Sequence, residues 1–589
     1  MPRISMREED IVAIPTNVTV NAKGYVYYNS ATYWVKGTVE HKGYPDHKKV
    51  CIGKVVTSKE TWEEDRRMFP NKNYFKHFET DRMPEAPKVA DSISVGVLSA
   101  VKSLSTDSQL IDILADVFGS EDTALILDLA MYMLVQESAV FQHFPHWCRS
   151  HAIFSSAIRS DSFISEFEKE KVSVSKINQF KSKWAAHIMG DGKLYFCYDS
   201  TNVNSQAEGV FLVEKGHAKD DPTLCQVNMD YVVRQGDGLP VTFTAFPGSI
   251  NDMAEASEML QFFKDLLDGT DKQGTRPDIT MICDRGYISE ENVNALGDAG
   301  MQFLLMLRAN MGIMDELLSE HASKTKSSAN YLYEYEQYAM TVQKKLFDDD
   351  TAERFFHIIW DDTLERKHRN KLYNTLTNKE KKLRKIIERK TVLTKDELKA
   401  YESWFALETH EEGTVKVNKR GRGKGQKSVP GFVIDGAEKD ITKIDQDLEK
   451  CGFYILVTSK EMTASDALEA YTKRDCVEKV FRALKSYLGM DKIGVHCDDS
   501  IHAKTLIWFV ASILHSLIFK GTEKLRVSDR KTYTVPSVVD YLEEICADKN
   551  LSTMEYERRY KPTAKQNNIM SALKITTSDI DNEISLIKS

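Results

Sequence analysis

The sequence predicts an α/β fold in which a mixed β-sheet is interrupted by a charged insertion. Three observations lead to this prediction. Short apolar strands alternate with helical segments from residue 190, the alternation stops near residue 310, and it returns near residue 450. Because 589 residues are too many for one hydrophobic core, we expect several domains.

The order of the elements after residue 190 indicates the kind of sheet. Three strands are followed by a helix, two more strands separated by a helix, and a last strand before further helices. The predicted strands are 194–199, 227–233, 239–246, 279–284, 302–307 and 452–458, and the predicted helices include 252–268, one capped by Ser289, one from about Ser465 to Leu488, and 503–519. This order is typical of an RNase H-like core.

The remaining segments divide the chain further. Residues 25–56 alternate apolar and polar side chains, as in a small antiparallel hairpin or meander, and residues 92–190 are mainly helical. The expected domains are a β-rich region (1–90), a helical domain (91–189), the first part of the core (190–309), an insertion with basic segments (310–450), the second part of the core (451–525) and a helical C-terminal region (526–589).

Composition describes an ordinary folded protein. The chain has 79 basic and 88 acidic residues, a net charge of −9, so any binding of nucleic acid must depend on a local patch. Nine cysteines without a CxxC pair suit reduced thiols in the cytoplasm. The most apolar stretch, Thr505–Phe519, is too short to span a bilayer and indicates a buried helix.

The predicted sheet indicates two aspartates as candidate site residues. Asp199 and Asp284 each end a predicted strand, where an Asp is commonly only a turn former. In an RNase H-like sheet, however, the first and fourth strands are neighbours, and ligands bind at the carboxyl ends of strands. Two carboxylates held this close repel each other, so a divalent metal ion is their natural companion.

A third acid comes with a distinctive spacing. Tyr471, Arg474, Glu478 and Lys485 are separated by two, three and six residues. On one continuous helix they would share a sector of roughly 60°, which Arg482 extends. The alternative is a solvated face of mixed charges, but an ion pair between Arg474 and Glu478 would leave Tyr471 and Lys485 unexplained.

Basic residues concentrate inside the predicted insertion. Residues 366–399 hold thirteen Lys or Arg against four acids, a net of +9, and residues 416–427 add six basic residues. The alternatives are a solvated helix with a flexible loop, or a phosphate-binding surface that includes Lys419, Arg420, Arg422 and Lys424.

These residues resemble a known family. The spacing of Tyr471, Arg474, Glu478 and Lys485 resembles the Tyr-(2)-Arg-(3)-Glu-(6)-Lys signature of one large group of bacterial insertion-sequence DDE transposases. Asp199 in YDSTNVNS resembles their first catalytic Asp, and Asp284 in CDRGYIS the second. The resemblance covers about residues 190–310 and 450–520.

The resemblance implies a mechanism and partners. Asp199, Asp284 and Glu478 would hold two Mg²⁺ ions, for which Mn²⁺ would substitute, and the enzyme would cleave the ends of an insertion sequence and join them to target DNA. Homodimers would pair the two terminal inverted repeats in the bacterial cytoplasm, at the nucleoid. The candidate DNA-binding residues are Tyr471, Arg474, Lys485, Arg482, Arg285, Lys419, Arg420, Arg422 and Lys424, and region 1–90 is a further candidate for DNA binding.

Three other functions remain open at this stage. A related protein that only binds DNA, another RNase H-like nuclease, or a metal phosphohydrolase for small substrates could carry the same acids. The segment HFPHWCRSH (143–151) also holds residue types that zinc favours, although its spacing and aromatic residues favour packing.

Overall fold

The structure is a computed structural model, which describes most of the chain. The described residues are 11–35, 44–58, 60–78, 89–190, 192–216, 223–250, 252–271, 277–350, 352–418, 426–550 and 553–587. The chain divides into two compact units, one formed by residues 1–92 with 548–557 and the other by residues 93–547 with 558–588.

The first unit is built on an antiparallel sheet with the strand order β1-β5-β4-β3-β2. Its elements are β1 (Val12–Ala13), β2 (Val18–Val20), β3 (Tyr25–Val35), β4 (Tyr44–Val55), β5 (Arg67–Pro70) and α1 (Lys72–Phe78). The predicted hairpin is confirmed, because β3 and β4 pair antiparallel. Val26, Ile52 and Met68 are fully buried in the small core of this unit.

Helices dominate the next part of the chain, as the sequence predicts. After β6 (Val89–Ser94) come α2 (Gly96–Asp107), α3 (Leu110–Phe118), α4 (Ser120–Gln136), α5 (Phe144–Trp147), α6 (Asp161–Glu170) and α7 (Val174–Ile188). Ser160 and Ser173 begin α6 and α7 as N-caps, since each hydroxyl accepts a hydrogen bond from a backbone N–H in the first turn.

The second unit is organised around a mixed sheet. Its elements as far as the last strand of this sheet are β7 (Lys193–Ser205), β8 (Cys225–Arg234), β9 (Pro240–Pro247), α8 (Asp252–Asp271), β10 (Asp278–Cys283), α9 (Glu290–Asp298), β11 (Gln302–Met306), α10 (Gly312–Thr325), β12 (Tyr331–Leu332), β13 (Gln337–Lys344), β14 (Arg354–Trp360), α11 (Asp362–Glu388), α12 (Lys395–Glu402), β15 (Phe405–Asn418), β16 (Gln426–Lys439), α13 (Ile441–Glu449) and β17 (Phe453–Thr458). Within the described residues the sheet has nine strands in the order β12-β13-β14-β17-β11-β10-β7-β8-β9. The pairs β7–β10 and β10–β11 are parallel and the others antiparallel.

Strand β7 is longer than the sequence predicts. It continues past Asp199 to Ser205, although the residues after Asp199 are mostly polar. One of these polar side chains bonds to the adjacent strand β8: the Asn202 amide donates to Gln226 at 3.4 Å, and Gln226 donates in turn to Asn228 of the same strand β8 at 2.6 Å. Asp199 therefore lies within a strand and not at its end.

The sheet includes strands that follow residue 310, where the predicted insertion starts. Strands β12, β13 and β14 belong to the same sheet, since β14 pairs with β17. Outside the sheet lie α11, α12, α13 and the long antiparallel ribbon of β15 and β16. This part has its own hydrophobic cluster, in which Leu383, Ile434 and Phe405 are buried.

The single helix predicted from Ser465 to Leu488 is two helices, α14 (Ala464–Thr472) and α15 (Asp475–Tyr487). At the junction the backbone tightens, because the amides of Arg474 and Val477 each bond to the carbonyl three residues earlier. The prediction of one continuous helix that carries Tyr471, Arg474 and Glu478 is therefore wrong. Tyr471 lies on α14, Arg474 is the N-cap residue of α15, and Glu478 is in the first turn of α15.

Helix α16 (Asp498–Gly521) is the central apolar helix of this unit. It is long and apolar enough to cross a membrane by length and composition, but 83% of its most apolar window is buried. Its Phe509 ring lies 4.6 Å from Phe243 and 5.9 Å from Tyr231, so the helix packs on strands β8 and β9. The chain continues with α17 (Glu523–Ser528), α18 (Val535–Glu543), β18 (Cys546–Asn550), β19 (Tyr556–Arg558), α19 (Ala564–Ala572) and α20 (Thr577–Leu586).

Candidate active site

The register of two parallel strands brings Asp199 and Asp284 together. Cys283, the last residue of β10, pairs with Tyr198 of β7. The residue after Cys283 is Asp284, and the residue after Tyr198 is Asp199. Adjacent strands are about 4.8 Å apart. The neighbouring strands predicted from the sequence are thus present, and both carboxylates lie where β10 ends.

Each aspartate is oriented by its own backbone. Asp284 caps a short 3₁₀ turn, and its Oδ1 accepts a hydrogen bond of 2.8 Å from the amide of Arg285. In Asp199, Oδ1 accepts a hydrogen bond of 2.9 Å from the amide of Ser200. Such local bonds restrict the rotation of both carboxylates.

Arg474 connects the strand to the helix that carries the third acid. Its Nη1 lies 3.3 Å from Asp199 Oδ2, and its Nη2 lies 2.8 Å from Glu478 Oε1. The Arg474 side chain is only 14% exposed, whereas that of Glu478 is 53% exposed. The structure therefore brings Asp199 and Glu478 onto one buried guanidinium.

The electrostatics of this group extend to Tyr471 and Asp284. Burial works to lower the pKa of Arg474, but the Tyr471 phenol and the carboxylates of Asp199, Asp284 and Glu478 raise it overall. The Tyr471 ring lies 5.7 Å from the guanidinium carbon. Burial also raises the pKa of Tyr471 well above its usual value, and Asp284 raises it further. Tyr471 is therefore a neutral hydrogen-bonding group beside the acids.

The other basic residues predicted for the site are spread more widely. Arg285 is exposed beside Asp284, Arg482 is exposed on α15, and Lys485 is half-buried in the last turn of that helix. The four basic residues of the loop, Lys419, Arg420, Arg422 and Lys424, lie outside the described residues.

A buried acid on the strand next to Asp199 was not predicted from the sequence. Asp230 of β8 is fully buried and pairs with Ser200, the neighbour of Asp199. Its carboxylate accepts a hydrogen bond from the hydroxyl of Tyr198, whose ring lies 4.6 Å from that of Tyr287. One signal was available, because an Asp stands inside the mostly apolar strand VNMDYVV.

The acids are of the kind that binds divalent metal ions, although they are not arranged around one. Three carboxylates provide the hard oxygen ligands that Mg²⁺ prefers. Within the described residues, no group of three or more His, Cys, Asp or Glu side chains is positioned to hold a metal ion. Two of the three carboxylates instead bind the guanidinium of Arg474. The donor set fits a divalent ion by its chemistry, and a cation of the chain already lies between two of the donors.

These features define an α/β protein with a group of carboxylates on a mixed sheet. Residues 191–514, more than half of the chain, match the family model of the transposase DDE domain. The chain belongs to this family, and it is a DDE-type DNA transposase.

Two further comparisons add no detail to this assignment. The cryo-EM structure of the piggyBac transposase synaptic complex with hairpin DNA is similar at 9% sequence identity, with 84% of this chain and 80% of that chain covered and a TM-score of 0.31. At a TM-score this low, the similarity gives no information about the site. None of the curated proteins matches the chain.

Proposed function

We propose that this transposase mobilises a bacterial insertion sequence, cleaving its ends and joining them to target DNA with Asp199, Asp284 and Glu478 as metal ligands. The observation that supports this most strongly is the convergence of Asp199 from β7 and Glu478 from α15 on Arg474, with Asp284 at the adjoining strand position. The fold we propose is RNase H-like, and the order of strands β7 to β11 supports it.

The residues of the chain divide into two roles in this proposal. Asp199, Asp284 and Glu478 would hold Mg²⁺ or Mn²⁺, which would supply Lewis-acid chemistry for phosphoryl transfer. Arg474 and Tyr471, which pack beside the acids, bind phosphate groups of the DNA near the scissile bond. Lys485, Arg482 and Arg285 extend this positive surface.

Helix α11 supplies a second DNA-binding surface. Among its exposed basic residues, the arginines pair with acids four residues earlier: Arg366 with Asp362, Arg369 with Glu365, and Arg384 with Glu380. The exposed lysines that form no ion pair within the described residues are Lys367, Lys371, Lys381, Lys382 and Lys385. At 3.6 residues per turn these five lie within a sector of roughly 100°.

These five lysines, here called the lysine face, point away from the hydrophobic cluster that α11 forms with α12, α13, β15 and β16. Leu376 and Leu383 are the buried residues of α11, and they lie on the side of the helix opposite Lys367. The face runs for about 27 Å, the rise of an α-helix between Lys367 and Lys385. Its length and charge suit the backbone of a DNA duplex, and we propose that it binds along the terminal inverted repeat.

Because two ends must be paired, we propose a homodimer as the working assembly.

The metal assignment is tested with three isosteric variants. Asp199→Asn, Asp284→Asn and Glu478→Gln each remove one charge while keeping the shape of the side chain. We expect each to abolish Mg²⁺-dependent nicking of DNA that carries the element's ends, and to leave binding to that DNA largely intact.

Lys479→Ala is the matched control, because Lys479 neighbours Glu478 on α15 but pairs outward with Asp475 at 2.8 Å. It should retain nicking. Mg²⁺-dependent nicking by any one of the three acid variants would remove that residue from the metal site.

A further inference from the structure

The guanidinium of Arg474 occupies a position between two of the proposed metal ligands. It donates to Asp199 at 3.3 Å and to Glu478 at 2.8 Å. These two acids come from separate elements, β7 and α15, and Arg474 itself begins α15. One side chain therefore pairs with both carboxylates from inside the protein and offsets one of their two negative charges.

A divalent ion competes with Arg474 for the same oxygens. Arginine stays charged at all ordinary pH values, so its guanidinium cannot be removed by losing a proton. A metal ion that approached these carboxylates would be repelled by this positive charge while the two ion pairs persisted. Metal binding therefore requires the guanidinium to leave at least one carboxylate.

We propose that Arg474 is an internal counter-ion that keeps the acids closed to divalent metal until a DNA phosphate draws its guanidinium away. This inference rests on the proposed function, because it takes Asp199, Asp284 and Glu478 as metal ligands. A phosphate is a suitable competitor, since it accepts the same paired hydrogen bonds from a guanidinium as a carboxylate does.

The surroundings of Arg474 are suited to such a movement. Its side chain lies at the junction between α14 and α15, where it contacts Asp199 of β7, Glu478 of α15 and the Tyr471 ring of α14. Glu478 is half exposed, so this carboxylate is reached from the solvent side where DNA would lie. The consequence is reciprocal: if bound DNA raises the affinity for metal, bound metal raises the affinity for DNA by the same factor. Such a coupling would disfavour metal binding, and with it metal-dependent cleavage, in protein that has no DNA bound.

The test is a titration of the full-length protein with Mn²⁺, with free Mn²⁺ measured by electron paramagnetic resonance. Arg474→Gln removes the charge and keeps most of the stem, and Arg474→Ala serves as a second variant; thermal melting shows that each is folded. Without DNA, we expect Arg474→Gln to bind Mn²⁺ about tenfold more tightly than the wild type, the factor expected when one charge-assisted hydrogen bond no longer competes.

Two controls locate the effect. Lys479→Ala removes one positive charge from the same helix without touching the acids, and it should bind Mn²⁺ like the wild type. The double variant Asp199→Asn/Arg474→Gln should lose the gain, because one of the ligands is gone. When duplex DNA saturates the protein, as monitored by fluorescence anisotropy, the difference between the wild type and Arg474→Gln should disappear.

Each outcome has a separate meaning. Equal Mn²⁺ affinity of the wild type and Arg474→Gln without DNA would overturn the counter-ion role and leave the metal site standing. A tenfold difference that persists on saturating DNA would overturn the release by phosphate. Failure of the wild type and all Arg474 variants to bind Mn²⁺, with or without DNA, would overturn the proposed metal site itself.

Discussion

At the scale of single residues, Asp230 is a buried acid in the middle of strand β8. It is fully buried, and the hydroxyl of Tyr198 donates a hydrogen bond to it. Tyr198→Phe removes this donor while keeping the ring. Because removing the partner of a buried polar group costs about 1–3 kcal/mol, we expect the free energy of unfolding to fall by this amount in urea denaturation.

Tyr333→Phe is the matched control for Tyr198→Phe. The side chain of Tyr333 is 84% exposed, so loss of its hydroxyl should leave the unfolding midpoint unchanged. If both variants were as stable as the wild type, the Tyr198 hydroxyl would contribute nothing to holding Asp230.

The sequence predicts some residues of the site and not others for a physical reason. Asp199 and Asp284 could be found because each follows a short apolar run, which indicates a strand. The contacts of Arg474 with Asp199, 275 residues apart, depend on how α15 packs against β7. No local pattern encodes that packing, and the same holds for the hydrogen bond between Tyr198 and Asp230.

At the scale of elements, strand β14 carries a buried histidine in the middle of the sheet. His357 is fully buried, with Nδ1 at 2.9 Å from the Thr341 hydroxyl and Nε2 at 3.1 Å from that of Thr458. The Thr458 hydroxyl donates to the carbonyl of Lys460, so it accepts from Nε2–H of His357. Both ring nitrogens are therefore bonded in the neutral form.

This histidine should make the protein sensitive to acid. Burial lowers the pKa of His357 from 6.5 to about 4. Between these values the unfolded chain binds a proton that the folded chain does not, so the stabilising contribution present above pH 6.5 is lost as the pH falls towards 4. We expect this single group to account for up to about 3 kcal/mol of the decrease between pH 7 and pH 4.

The measurement is urea unfolding of the wild type and His357→Gln at several pH values. The glutamine does not titrate and still offers a donor and an acceptor, so its stability should fall less steeply with acid. Parallel profiles for the two proteins would show that His357 does not titrate differently in the folded and unfolded states.

The junction between α14 and α15 shows where a prediction from periodicity fails. A wheel of 100° per residue assumes one regular helix, and the chain from Tyr471 to Lys485 contains a tightened turn at Arg474. Arg474 and Glu478 are nevertheless neighbours in the structure. They are four residues apart, and this spacing still brings two side chains together at the start of α15. Helix α16 was predicted well, since an apolar sequence on all sides indicates a buried helix.

At the scale of the whole molecule, the distribution of charge matters more than its sum. The net charge of −9 opposes DNA, yet α11 presents along one side five lysines that form no ion pair with any residue that the structure describes. Its arginines are compensated by acids on the same helix. The composition could predict the basic segment, but only the structure separates the cations that are compensated from those that are available.

This separation predicts how DNA affinity responds to salt. A cation that contacts a DNA phosphate releases a condensed counter-ion, and each such contact contributes about 0.9 to the slope of log K against log salt concentration. The triple variant Lys367→Gln/Lys371→Gln/Lys385→Gln should therefore bind duplex DNA more weakly and with a shallower slope, measured by fluorescence anisotropy at several salt concentrations. The matched control is Arg366→Gln/Arg369→Gln/Arg384→Gln, which changes the net charge equally but removes residues that lie roughly 100° or more from the central lysines. If the arginine variant flattened the slope as much as the lysine variant, the helix would act through its total charge, and the lysine face would lose its role as the contact surface.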